Sequence, residues 1–329
     1  MHHISAYPPE SLLAVICDSS HSPGGGAFNV LCDLACVDPT LPLAVAGLVG
    51  DDEDGRIIRG EFERRGIDGS RIATVADRPT SFTHVMISEA NATRTFFHSH
   101  GANSRLGLDL IHRLDGSARM AHLAYLLLLE GLDVPDSDYG SGGAHALAIL
   151  QEKGFRTSLD LVSEAAPERY LRFVVPALPY TDYLIVNDVE AAHLTATGSA
   201  TLGDTPDWDL AFVQADSLLA MGVKRLVAIH FPAGAVAMTR SGERCRQTSY
   251  RVSNVVSALG AGDAFCAGML FGIHEGYALD MCLKLGVGLA HFNLFATSAT
   301  AGAVPLARLR ALIAEKEQAS VDRTSRAES

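Results

Sequence analysis

Apolar and polar positions along the chain follow two periods in turn. From about residue 105, segments with apolar residues three and four apart alternate with short apolar runs. The spacing predicts helices over 105–113, 138–153, 167–175, 188–197 and 208–221, and strands over 120–127, 155–161, 182–186 and 224–229. Such alternation calls for a mostly parallel sheet with helices on both faces. Earlier, a short strand over 12–17 precedes a glycine-rich stretch and a helix to about residue 37. A strand over 43–49 and a helix over 56–65, stopped by Gly66, come next. The runs 81–88 and 94–97, around a turn at 89–92, alternate as a half-exposed hairpin does. Near the end, the β-branched run 250–256 predicts a strand, and helices are predicted over 262–275, 279–297 and 304–317. The stretch 199–207 reads as a polar loop, and the polar tail 318–329 is predicted to fray.

Composition narrows the picture. With 329 residues, 48% of them hydrophobic, the chain can bury a large core in one or two domains. A formal charge of −12 argues against nucleic acid or a membrane surface as partner, because phosphate binding needs a basic face. No apolar run has the length of a membrane span, and the start has no signal-peptide pattern. Six cysteines in a chain this long are not a disulfide framework, so a reducing cytoplasm is expected. Cys32 and Cys36, one helical turn apart, read as buried thiols, since no CxxC or matching histidine pair accompanies them. His98 and His100 share one strand face with no evident third ligand, so they read as contacts of the hairpin, with Arg94, Phe97 and Asn103.

The candidate chemistry centres on Leu259-Gly260-Ala261-Gly262-Asp263-Ala264-Phe265. An apolar series at helical spacing follows it, so a glycine-rich turn opens a helix. Gly260 and Gly262 let backbone N–H groups converge without side chains in the way. The helix N-terminus adds partial positive charge and suits an anion. Asp263, in the first turn, is placed to take a proton from a hydroxyl that attacks a phosphate. The alternative is that it only caps or neutralises the helix start.

Four motifs in order carry a resemblance to the ribokinase-like (PfkB) family of carbohydrate and nucleoside kinases. They are the early glycines with Asn29, Gly47-x-x-Gly50-Asp51-x-x-Asp54-Gly55, Asn187-x-x-Glu190, and Gly260-Ala261-Gly262-Asp263. The resemblance implies a Rossmann-like three-layer α/β/α fold with a mostly parallel sheet and a small β lid. It implies a kinase domain over 1–317, lid segments near 4–23 and 81–100, and transfer of the γ-phosphoryl of ATP to a sugar hydroxyl. Asp263 would be the base, and the amides of Gly260, Ala261 and Gly262 the anion hole. Asn187 and Glu190 would organise Mg²⁺ and phosphate, largely through water; the alternative is an Asn-capped helix start. Gly24, Gly25, Gly26 and Asn29 would form the sugar loop or only a turn, and Asp160, ending a predicted parallel strand, would join them. In the acidic cluster, Asp51 or Asp54 would cap the next helix or touch substrate. Gly234 would lie on the nucleotide side. The lid is also the expected surface for a homodimer.

Three departures from the family pattern bear on function. The family opens with a core strand ending in a sugar-binding Asp, whereas only 23 residues precede Gly24. An upstream strand of that kind is therefore expected, and the segment before Gly24 is expected to be lid. Ser257 stands where an Asp often accompanies a monovalent cation site, so weak or absent potassium activation is expected. His230-Phe231-Pro232-Ala233-Gly234 replaces a Thr-x-Gly, which points to altered base recognition. The rival functions are a nucleoside kinase with the same motifs and a metabolite-binding relative without turnover.

Overall fold

The computed structural model describes residues 1–90, 93–115, 118–201 and 205–327, with side chains as far as residue 319. The chain opens with β1 (His2–Ile4), β2 (Ile16–Ser19), α1 (Gly26–Val37), β3 (Ala44–Gly50), α2 (Glu53–Arg64) and β4 (Asp68–Val75). The hairpin β5 (Phe82–Ser88) and β6 (Arg94–Ser99) follows, then α3 (Leu108–His112) and β7 (Met120–Leu126). Next come the two-residue strands β8 (Pro135–Asp136) and β9 (Gly140–Ser141), α4 (Gly142–Glu152), β10 (Arg156–Leu161) and α5 (Pro167–Arg169). β11 (Tyr183–Asn187), α6 (Asp188–Thr195), α7 (Trp208–Ala220) and β12 (Leu226–Phe231) continue the alternation. β13 (Gly234–Thr239), β14 (Arg244–Thr248), α8 (Ala261–His274), α9 (Leu279–Asn293) and α10 (Leu306–Ala327) complete the order.

The main sheet has the order β14-β13-β12-β11-β10-β7, parallel from β7 to β12 and antiparallel beyond. Its central strands β10 to β13 are buried on both faces, and the period of two sorts their side chains between layers. Leu184, Val186, Val227 and Ile229 pack on one side with residues of α4 and α7. Ile185, Leu226 and Ala228 pack on the other with residues of α1, α8 and α9. A one-residue slip would exchange the two sets, and each large aliphatic side chain buried here contributes roughly 1.5–3 kcal/mol. The three-layer expectation therefore holds.

Several elements differ from the sequence expectation. The run 250–256 is not a strand; Val255 and Val256 are exposed, and the sheet is closed instead by the hairpin β13–β14. β14 alternates exposed Arg244, Arg246 and Thr248 with half-buried Cys245 and Gln247, the mark of an edge strand that hydrophobic runs do not reveal. β4, paired in parallel with β3, was hidden for the same reason. Of the run 12–17, Leu12, Leu13 and Val15 lie exposed outside any strand. The helix expected over 167–175 is only the turn α5, continued by a π turn (170–174) and a 3₁₀ turn (175–180) that carries Pro176 and Pro179. α10 runs on through 318–327, a stretch without Gly or Pro. Residues 91–92 of the expected turn, 202–204 of the polar loop and 328–329 of the tail lie outside the described residues.

Asp52, not Asp51 or Asp54, caps α2 by accepting the Gly55 amide at 2.9 Å. Its carboxylate also takes the Thr80 amide at 2.7 Å and the Thr80 hydroxyl at 2.6 Å. A Cβ on Gly50 would lie 2.5 Å from the Thr80 amide nitrogen, so the glycine-aspartate motif fastens the entry to β5. β1, β2, β5 and β6 form a separate four-stranded sheet of order β2-β1-β5-β6. β3 and β4 form a third sheet, so β3 and β7 each have one edge without a partner strand among the described residues. Both of these strands line one large cavity.

Candidate active site

A cavity of about 2250 Å³ runs from the four-stranded sheet past β3 to the carboxyl ends of β7, β10 and β11 and the start of α8. Strand carboxyl ends are where parallel sheets bind ligands. Gly24, Gly25, Gly26, Asn29, Asp160, Asn187, Glu190, Gly260, Gly262 and Asp263 all line it. The lining does not include Gly234, which sits at the β12–β13 turn against Trp208, where a Cβ would lie 2.8 Å from the indole.

The loop before α8 turns at Gly260, whose φ of 76° is left-handed. A Cβ there would lie 2.5 Å from the Ala299 carbonyl oxygen, so only glycine fits. Gly260 and Gly262 border the cavity at the start of α8, where the first amides have no helical carbonyl to reach, while the Ala261 amide donates to the Ala258 carbonyl at 3.4 Å. His230 closes one side, 3.2 Å from where a Gly262 Cβ would be, with its ring 4.9 Å from Phe265. Burial drives its pKa down to about 4, so at neutral pH it is an uncharged polar group beside the anion loop.

Asp263 is 6% exposed. Asn29 Nδ2 donates to its Oδ2 at 2.8 Å, and the Tyr125 hydroxyl reaches Oδ1 at 2.8 Å and Oδ2 at 2.9 Å. Burial, and then the nearby Asp160 carboxylate, raise its pKa to about 7, against the lowering effect of the Asn29 and Tyr125 hydrogen bonds. A carboxyl group poised there can accept a proton at physiological pH. Glu190 is alike: burial raises its pKa to about 7, with Asp160 adding to the rise.

Asn187 and Glu190 form a reciprocal capping box at the start of α6. Asn187 Oδ1 accepts the Glu190 amide at 2.9 Å, and Glu190 Oε2 accepts the Asn187 amide at 3.0 Å. Ser163 joins them, donating to Glu190 Oε1 at 3.0 Å and accepting from Asn187 Nδ2 at 2.7 Å. The capping alternative is thus what the structure shows for this pair, and both residues also line the cavity. The strongest charge acting on both Glu190 and Asp263 is the Asp160 carboxylate. Such an anionic basin fits a hard divalent cation carrying its own waters.

In the glycine loop, Gly25 has φ 100°, and a Cβ on Gly26 would lie 2.8 Å from the Tyr125 ring. Asn29 Oδ1 is buried without a hydrogen-bond partner, an acceptor free for a ligand hydroxyl. Asp160 Oδ1 accepts the Tyr125 amide at 2.6 Å, and its Oδ2 lies 3.3 Å from His122 Nε2.

Tyr125 is the residue that pattern reading missed. It is the penultimate residue of β7, with a left-handed φ of 57°, a conformation uncommon for an aromatic residue and found at functional sites. Its one sequence signal was its position at the carboxyl end of a parallel strand. Asp33, one turn after Asn29 on α1, is 1% exposed with both carboxylate oxygens unpartnered, and burial followed by the Asp263 charge pushes its pKa well above the usual carboxylate range.

A family model described as pfkB family carbohydrate kinase matches residues 11–306. The chain is similar to a 5-dehydro-2-deoxygluconokinase of Shouchella clausii, 23% identical over 303 residues that cover 89% of this chain and 86% of that one. It is similar to an adenosine kinase of Schizophyllum commune, 25% identical over 292 residues covering 82% and 78% of the two chains. Among solved structures, Arabidopsis thaliana ribokinase complexed with ribose and ATP matches with a TM-score of 0.75 at 17% identity, covering 95% of this chain and 94% of that one. That likeness shows the ribokinase fold.

Proposed function

Since the chain belongs to the pfkB family of carbohydrate kinases, phosphotransferases acting on sugar or nucleoside hydroxyls, we propose that it phosphorylates a small sugar with ATP, using Asp263 as base. The environment of Asp263 carries this reading: a buried carboxyl with a pKa of about 7, in the first turn of the helix that the glycine loop opens. Asp263 removes the proton from the acceptor hydroxyl as that oxygen attacks the γ-phosphorus in line. The β–γ bridging bond breaks and ADP leaves. The amides of Gly260, Ala261 and Gly262 stabilise charge on the transferring phosphoryl. Asn187 and Glu190 would hold Mg²⁺ chiefly through water, and the ion would supply neutralisation of phosphate charge. Asn29 Oδ1 and the loop Gly24-Gly25-Gly26 hold sugar hydroxyls, with Asp160 beside them.

The four-stranded sheet acts as the lid and excludes water from the transfer. Tyr7, Phe82, Phe96 and Phe97 on and beside it are exposed, which supports a homodimer through this surface. Phe82 and Phe96 also line the cavity, and exposed rings there suit a stacked base, the observation that favours a nucleoside acceptor. The six free cysteines fit a reducing cytoplasm. The test is ADP release across a panel of pentoses, ketohexoses and nucleosides, with wild type and Asp263→Asn. Turnover with one sugar, lost in the variant, is the expected result. Turnover that survives the substitution refutes the base assignment, and turnover with nucleosides alone establishes the second reading. Light scattering checks the dimer.

A further inference from the structure

We propose that His122, Asp160 and Cys266 form a three-ligand zinc site whose fourth position faces the cavity. The three side chains come from β7, β10 and α8, and their ligand atoms all lie within 4.8 Å of one another. His122 Nε2 is 3.3 Å from Asp160 Oδ2 and 3.9 Å from Cys266 Sγ. Zinc bonds of about 2.0–2.3 Å in tetrahedral array place neighbouring ligand atoms roughly 3.3–3.7 Å apart. Closing on an ion thus needs movements of only a few tenths of an ångström along these two contacts.

The arrangement is built rather than incidental. His122 and Ser158 are directly paired in the β7–β10 ladder, and Asp160 follows Ser158 by two residues on the same face. Ser158 Oγ lies 2.5 Å from His122 Nδ1. A hydrogen bond there leaves Nε2 as the ligating nitrogen, the outer-shell pattern typical of metal-bound imidazoles. Cys266 and Asp160 are 2% and 6% exposed, and all three residues line the cavity, so an ion has a route in.

The donor set of one imidazole, one carboxylate and one thiolate suits a borderline-soft ion with no geometric preference, and it does not suit Mg²⁺. Burial and the neighbouring carboxylates hold the Cys266 thiol protonated in the free protein. Binding zinc releases that proton to solvent, so affinity falls as pH falls. Cys266 stands one turn after Asp263 on α8. An ion here therefore takes Asp160 from the acceptor pocket and places positive charge beside the base, which makes zinc an inhibitor. The inhibition rests on the kinase reading; the binding does not.

The test adds Co²⁺ to the full chain and follows the thiolate-to-cobalt charge-transfer absorption, then displaces it with Zn²⁺. One equivalent per chain is expected to produce the band. Cys266→Ser and His122→Gln should each remove it, with metal affinity lowered at least roughly 100-fold, and Ser158→Ala should weaken it roughly 10–100-fold. Thermal melting of the metal-free variants checks folding, and if Cys266→Ser fails to fold, His122→Gln carries the test alone. No band in the wild type, or a band that survives His122→Gln at unchanged affinity, overturns the site. ADP release that continues undiminished while the band is present leaves the metal site standing and overturns the inhibition; a metal-free protein that releases ADP with none of the panel's acceptors counts against the kinase reading and not against the site.

Discussion

Asp263→Asn should give two signals of different origin, one in turnover and one in stability. The carboxyl pKa is raised from 3.8 to about 7, a rise of about three units at about 1.36 kcal/mol each. Between those two values the folded chain keeps a proton that the unfolded chain has lost. Stability therefore falls as pH rises from about 3.8 to about 7, and above that the full loss of about 4 kcal/mol is present. Asparagine does not ionise and escapes the loss. The new amide also disturbs the donors of Asn29 and Tyr125, but that offset does not change with pH. The readout is thus the growth of the variant's advantage, roughly 2.7 kcal/mol between about pH 5 and about pH 8. For a chain of this size that corresponds to roughly 4 °C in the difference of melting temperatures. In parallel, kcat at neutral pH should drop on the order of 10²-fold or more, because the amide cannot accept the hydroxyl proton. A melting difference that is constant across pH refutes the raised pKa. Near-normal kcat refutes the base.

Glu190→Gln should raise the magnesium concentration for half-maximal activity severalfold; an unchanged dependence, measured by ADP release at fixed ATP, rejects its role beside the phosphates. Tyr125→Phe removes the hydroxyl whose hydrogen bonds lower the Asp263 pKa, so the acid limb of the kcat/KM profile should move to higher pH. A limb that stays in place or moves down counts against the contact. Gly260→Ala combines a left-handed φ with a Cβ 2.5 Å from a carbonyl oxygen, so loss of roughly 2 kcal/mol or more is expected, read by urea unfolding, with kcat falling as the loop amides shift.

The sequence by itself determined the layers and the order of the main elements. Buried parallel strands are mostly apolar and amphipathic helices repeat near 3.6, so β7, β10, β11 and β12 and the helices between them were legible as local patterns. Three of the four motifs likewise singled out Asn29, Asn187, Glu190 and Asp263, which the structure brings to one cavity, because glycine at a sharp turn and an Asn-x-x-Glu cap are local demands of the backbone. Edge strands β4 and β14 escaped, since half-exposed strands carry charge, and the run 250–256 misled, since β-branched residues also occur in exposed coil. Only the tertiary structure decided that Asp52 rather than its neighbours makes the cap, through Gly55 and the distant Thr80. It alone brought Tyr125 to Asp263 across 138 positions and Asn29 to the same carboxylate across 234. The convergence of His122, Asp160 and Cys266 is of the same kind. A pattern read along the chain records periodicity within an element, whereas a site is a meeting of strand ends and a helix start, and that meeting is set by how whole layers pack.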